Sequence, residues 1–149
     1  MFRSNLIIVG MVLASSASLA AEMLQPAPDI APERVVEIQL TALQNNDDPT
    51  PNAGIEQAWA FAHPRNKSVT GPLERFTSMI KAPPYGMLVG HESHSVRKIA
   101  VNDDTAMFSV NVTPASGAPV VYQWKLERSD SGSWMTIGVS PPMDRGDSI

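Results

Sequence analysis

The sequence predicts an α+β domain: three helices come first, then a curved antiparallel meander of four to five strands packs against them. Two observations carry that prediction. Apolar residues recur at helical spacing as far as about residue 81, and from Met87 onward they alternate with polar ones. The prolines sit mostly at the ends of these periodic segments, where they punctuate structure rather than dissolve it.

Residues 1–20 read as a cleaved export signal. Arg3 gives the positive start, Leu6 to Ala14 the apolar stretch, and Ser18-Leu19-Ala20 a small-x-small cleavage site. The apolar run falls short of the roughly 20 residues that a membrane-spanning helix needs. The expected product is periplasmic or secreted, with no membrane attachment after cleavage. Residues 21–31 hold Pro26 and Pro28 and form an irregular arm, 32–142 form the single domain, and 143–149 form a flexible tail.

Pro32 suits the first position of the first helix, with Glu33 in the positive first turn. Val36, Leu40 and Leu43 make its apolar stripe, which Val35 and Ile38 widen; the helix stops at Asn45-Asn46, before a turn-rich Asp47 to Pro51. A second helix covers about Ala53 to Ala62, with Ile55, Ala58, Trp59 and Ala62 on one face, and Pro64 stops it. His63 to Ser68 reads as a polar loop. The third helix opens at Pro72 and buries Leu73, Phe76 and Ile80 before Pro83-Pro84 ends it.

In the sheet, Phe108, Val110 and Val112 point inward, as do Tyr122, Trp124 and Leu126 on the next strand. Turns fall at Asn102 to Asp104, Ser116-Gly117 and Asp130 to Gly132; Trp134 to Val139 is the last strand, and Met87 to Val89 is a candidate short fifth. The expected core is thus Val36, Leu40, Leu43, Trp59, Leu73, Phe76 and Ile80 from the helices, with the inward strand residues. Met107, Val121, Met135, Ile137 and Val139 fall on the outer face, an apolar area that suits a weak homodimer.

Charge and composition exclude several classes. A net charge of −4, a pI near 5.2 and no run of Lys or Arg argue against nucleic acid and anionic membrane surfaces as partners. The absence of cysteine removes disulfides, thiolate metal sites and thiol nucleophiles together. Neither a dinucleotide fingerprint nor a phosphate loop is present, and nothing in the sequence asks for a cofactor.

Four stretches carry a resemblance: Asn46 to Pro49 (N-D-x-P), Phe61 to Asn66 (F-A-x-P-x-N), Thr70 to Phe76 (T-G-P-x-x-R-F) and Trp134 to Val139 (W-M-x-x-G-V). By these the chain resembles an uncharacterised family catalogued as domain of unknown function 4864. Helices followed by a meander also resemble the cone-shaped fold of the nuclear transport factor 2-like group, which holds ketosteroid isomerase, SnoaL-type cyclases and many non-catalytic binding modules. The resemblance implies a fold and assigns no activity.

Candidate chemistry is sparse. Asn66 and Thr70 fall near a helix start, where free N–H groups would meet a ligand's polar end, although such residues usually bond their own loop. Tyr85, Tyr122 and Trp124 combine apolar bodies with polar handles and are the candidate liners of a cavity between helices and sheet. His91-Glu92-Ser93-His94 lacks the spacing that sets two histidines on one helical face, and on a strand the two rings would point to opposite sides, so no metal site is expected. The inward strand residues include no acid; Glu92 with Tyr122 is the one acid–base pair worth testing. Arg145-Gly146-Asp147 is a chance triplet in the tail, and Asn66 and Asn111 fit a glycosylation pattern. The reading that follows is an exported, non-catalytic binding or interaction module, holding a small apolar molecule or meeting a protein partner. The alternative is a small isomerase- or cyclase-type enzyme with acid–base chemistry in the same cavity.

Overall fold

The computed structural model describes residues 22–142, so the stretches expected to be an export signal and a tail lie outside the described residues. Helices come first and a four-stranded antiparallel sheet follows, the α+β arrangement that the change of period predicts. Four α-helices precede the sheet rather than three: α1 (Pro32–Gln44), α2 (Ala53–Ala60), α3 (Pro64–Thr70) and α4 (Leu73–Lys81). The additional one, α3, occupies the stretch expected to be a polar loop. Its seven residues bury no side chain, so no apolar stripe announces them. Pro64 at the first turn starts it, and the Arg65 N–H donates to His63 Nδ1 at its cap, 3.1 Å away. Thr70 therefore closes α3 instead of preceding a helix, and Pro72 flanks α4 in an extended conformation.

The strands are β1 (Ser93–Val101), β2 (Thr105–Thr113), β3 (Val120–Arg128) and β4 (Trp134–Val139), paired in chain order. Residues 87–89 are not a fifth strand. They close a 3-10 turn (Gly86–Leu88), in which the Leu88 N–H donates to Tyr85 O, 2.9 Å away, and so satisfy their backbone locally. What extends the sheet instead is a parallel bridge between Ala62 and Thr136. The His63 N–H donates to Thr136 O and the Thr136 N–H to Phe61 O, each at 2.8 Å, so the α2–α3 link covers part of the β4 edge.

Two bulges alter the alternation. In β1, Lys98 pairs with Phe108 but Ala100 with Met107, leaving Ile99 extra; in β4, Thr136 pairs with Leu126 but Gly138 with Lys125, leaving Ile137 extra. Beyond such a residue every side chain changes face. Val139, expected on the outer face, pairs with inward Trp124 and lines the interior. Met135 is buried on the outer side, where α3 also sends Arg65 to an ion pair with Glu127.

The core lies between α1, α2, α4 and the inner sheet face, with Val35, Val36, Leu40, Ile55, Phe61, Phe108, Val110 and Tyr122 fully buried. Helix α1 packs on α2 and reaches both edge strands, β1 and β4. Trp59 and Leu73 are only partly buried. The Trp59 indole leans on Phe76 at 4.9 Å between ring centres, with the Lys67 ammonium 5.2 Å above it, and so forms a lid at the helix edge.

The α1–α2 junction explains the N-D-x-P stretch. Asn46 is buried; its Oδ1 accepts the Ile55 N–H at 2.9 Å and its carbonyl accepts the Gly54 N–H at 2.8 Å. Asp47 Oδ1 accepts the Asn52 N–H at 2.9 Å, which ties the loop to the start of α2. Gly54 sits so close to α1 that an added Cβ would lie 2.0 Å from Ala42 O. Gly54→Ala is accordingly expected to lower stability by at least about 1–3 kcal/mol, as other overpacked core positions do. Urea denaturation measures this, and a loss under about 0.5 kcal/mol, the scale of an ordinary surface change, would contradict so close an approach.

Candidate functional site

An interior cavity of about 240 Å³ opens between the helices, the 3-10 turn and the inner face of β3 and β4. Leu43, Phe76, Ile80 and Leu88 give it a buried apolar floor, with Gln39 and Thr136 as the buried polar groups. Its rim is the partly exposed set Asn66, Thr70, Met79, Tyr85 and Val139. No Asp, Glu, His, Lys or Arg is among the described residues that line it.

Gln39 organises the polar side. Its Nε2 donates to Ala58 O at 3.0 Å, while its Oε1 accepts from Trp124 Nε1 at 2.9 Å and from Thr136 Oγ1 at 2.5 Å. A carbonyl can only accept and an indole N–H can only donate, so the amide has one possible orientation. That orientation in turn obliges the Thr136 hydroxyl to donate inward. At the rim, Thr70 Oγ1 donates to Asn66 O at 2.9 Å and Asn66 Nδ2 donates to Thr136 O at 3.2 Å.

Of the candidate residues, Asn66, Thr70, Tyr85 and Trp124 come together on the cavity. Asn66 and Thr70 do so as members of one helix, α3, whose polar face turns toward β4, and they bond local backbone as well as the cavity wall. Tyr122 is corrected: it is fully buried and does not line the cavity. Its hydroxyl donates to Pro84 O at 2.9 Å and its ring lies 6.5 Å from that of Tyr85, so it backs the wall. Burial, reinforced by neighbouring Tyr85, pushes the Tyr122 phenol up to about 12, and burial raises that of Tyr85 too. Both keep their protons, and the Tyr85 hydroxyl donates to Val139 O at 2.9 Å. Glu92 is exposed and absent from the lining, so the Glu92–Tyr122 pair is not assembled there.

Gln39 and Thr136 were not among the candidates, yet each had a signal. Gln39 lies three residues after Val36 and four before Leu43, on the buried stripe, where a polar residue demands a partner. Thr136 shares its face with Trp134, two residues before it.

His91 and His94 also depart from expectation. His91 precedes β1 and is free of strand alternation, so the rings meet, with His91 Nε2 2.7 Å from His94 Nδ1. His91 Nδ1 lies 2.7 Å from Leu88 O, and His94 Nε2 lies 2.9 Å from Glu37 Oε2 on α1. Leu88 O and the Glu37 carboxylate can only accept, so His91 Nδ1 and His94 Nε2 are the donors in these two contacts. Burial, then to a smaller degree the charge of His94, pushes the His91 imidazole down, against the opposing pull of the Leu88 carbonyl. The chain ties α1 to the 3-10 turn and β1 outside the cavity lining, and among the described residues no group of three His, Asp or Glu side chains is placed to hold a metal.

Fold and site together define an α+β domain with an apolar cavity and a neutral hydrogen-bonding corner. The chain belongs to the family described as domain of unknown function DUF4864, whose model matches residues 27–147. No curated protein and no solved structure matches it. Three of the four stretches that carry the resemblance meet at the cavity, through Ala62 and Asn66, Thr70 and Phe76, and Thr136 and Val139.

Two outcomes are expected. Gln39→Leu strands the buried Trp124 N–H and takes the acceptor from the Thr136 hydroxyl, and should cost about 1–3 kcal/mol, read by chemical denaturation. A neutral result would mean that these groups find other partners. For His91, the folded-state value lies below the ordinary 6.5, so the unfolded chain binds more protons in that range. The associated stability is complete above 6.5 and is lost as pH falls toward the folded-state value. The melting temperature should thus fall further between about pH 7.5 and about pH 5 in the native chain than in His91→Asn, which keeps a donor for Leu88 O. An equal fall in both would place the acid sensitivity elsewhere.

Proposed function

We infer that this chain is an exported, non-catalytic binding module that holds one small apolar molecule between its helices and its sheet, the two together forming a cone like that of the nuclear transport factor 2-like group. The observation that carries this reading is the lining of the cavity: apolar side chains on the floor, a few fixed polar groups at one corner and, among the described residues, no ionisable group except a tyrosine that keeps its proton. Acid–base chemistry needs a group whose proton is exchangeable near neutral pH within reach of the ligand. Trp124 and Tyr85, the two candidates with polar handles, spend those handles on Gln39 and on Val139 O and act as walls. Export rests on the leader read in residues 1–20.

Native mass spectrometry of protein purified from its native host tests this reading. A single small organic molecule should add its mass to a chain that lacks residues 1–20, and Met79→Trp at the partly exposed rim should abolish that addition. Chain mass alone, both as purified and after incubation with small aromatic hydrocarbons, would sink the binding reading and turn attention to protein partners on the outer surface. Persistence of residues 1–20 in the purified protein would remove the export reading.

A further inference from the structure

The direction of the hydrogen bonds around the cavity says more than its apolar character, because each hydroxyl on it has already spent its proton. The Thr70 hydroxyl donates to Asn66 O, the Thr136 hydroxyl to Gln39 Oε1, and the Tyr85 hydroxyl to Val139 O. The first and last partners are carbonyl oxygens, which only accept. The second is fixed as an acceptor by the Trp124 N–H that shares it and by the Ala58 carbonyl on the other end of the amide. Three hydroxyl oxygens consequently present lone pairs to the interior. Asn66 adds to the same side: one Nδ2 proton goes to Thr136 O, and its Oδ1 has only a long contact of 3.4 Å with a Thr70 hydroxyl already committed elsewhere. Acceptors therefore outnumber donors at the polar corner.

Charge and size narrow the occupant further. Among the described residues no cation lines the cavity to meet a carboxylate and no anion to meet an ammonium, and an unpaired buried charge is far costlier than an unpaired dipole. The volume of about 240 Å³ exceeds the roughly 150 Å³ that accommodates benzene and lies below the roughly 300 Å³ at which sites for drug-sized molecules begin. One ring with a short chain, or a small bicycle, fits that range.

We propose that the occupant is a neutral, hydrogen-bond-donating amphiphile of the alcohol, phenol or N–H heterocycle class, its apolar body on Leu43, Ile80 and Leu88 and its O–H or N–H directed at the Asn66–Thr70–Thr136 corner. This rests on the reading of the cavity as a ligand site. A ketone, ether or ester of the same shape brings lone pairs to lone pairs, and a fatty acid brings an uncompensated charge.

Isothermal titration of the full chain with four matched probes tests it: 4-propylphenol, 4-propylanisole, propylbenzene and 4-propylbenzoate. The phenol should bind about tenfold more tightly than the anisole and the propylbenzene, the scale of one net hydrogen bond, although water holds it more strongly than it holds either of them. The benzoate should not bind measurably. Thr70→Val, at a partly exposed rim position, should erase most of the advantage of the phenol and leave the affinity for propylbenzene within about twofold, which separates a lost acceptor from a damaged fold. Anisole or propylbenzene binding as tightly as the phenol overturns the donor class and leaves the apolar site standing. Tight binding of the benzoate overturns the neutrality argument. No binding of any probe to the folded chain removes the ligand site itself, and the donor class with it.

Discussion

The buried amide of Gln39 is the interaction on which the rest of this structure depends. It joins α1 to α2 through Ala58 O, to β3 through the Trp124 indole and to β4 through the Thr136 hydroxyl, four elements brought to one side chain. Apolar packing alone would tolerate small slides between helices and sheet, because dispersion contacts have little direction. A buried amide with both ends occupied tolerates few, since any slide leaves a donor or acceptor stranded in a dry interior. Gln39 thereby sets where α1 crosses the sheet, and with it the position of the cavity.

That cavity persists because small side chains stand where larger ones would fill it. Ala58 and Ala62 on the α2 side and Gly138 on β4 contribute little volume at their positions. The α2–α3 link is meanwhile held against β4 by its bridge to Thr136, which keeps Asn66 and Thr70 on the rim. The bulge at Ile137 completes the wall by turning Val139 inward, where its carbonyl receives the Tyr85 hydroxyl. Helix, link and bulge are three separate solutions to one steric problem, that of leaving an enclosed space while, among the described residues, no buried side-chain nitrogen or oxygen lacks a partner.

The histidine chain holds α1 at Glu37, two residues before Gln39. Glu37, His94 and His91 connect that helix to the carbonyl of Leu88, whose side chain forms part of the cavity floor; the Gly90 N–H donates to Leu43 O, 2.9 Å away, and Leu43 is another floor residue. The 3-10 turn is therefore fastened on both sides of its exit. Acid that charges both imidazoles sets N–H against N–H within this fastening, so proton uptake there opposes the arrangement that carries Leu88 and Tyr85.

How far the sequence reached follows from how far each signal extends along the chain. The 3.6-residue stripe of α1, the stripe of α4 and the alternation of β2 and β3 are local patterns, and they placed most of the core and, on the cavity wall, Trp124. Helix α3 escaped notice because a seven-residue, mostly polar segment with no buried face carries no period, although Pro64 was in plain view. The meeting of His91 with His94 and the reversal of Val139 lay beyond reach for a different reason. Each depends on where a strand starts or on a single extra residue in it, and one residue of register moves a side chain to the other face. The Gln39 amide lies between these cases. Its place on the buried stripe could be read from Val36 and Leu43, but its partners at Ala58, Trp124 and Thr136, up to 97 residues away, are chosen only when the chain closes on itself. Sequence by itself determined the class of fold, the order of elements and the apolar faces, because these are properties of neighbouring residues. The cavity and the pattern of hydrogen bonds around it were decided by tertiary structure, because they are properties of distances between residues far apart in the chain.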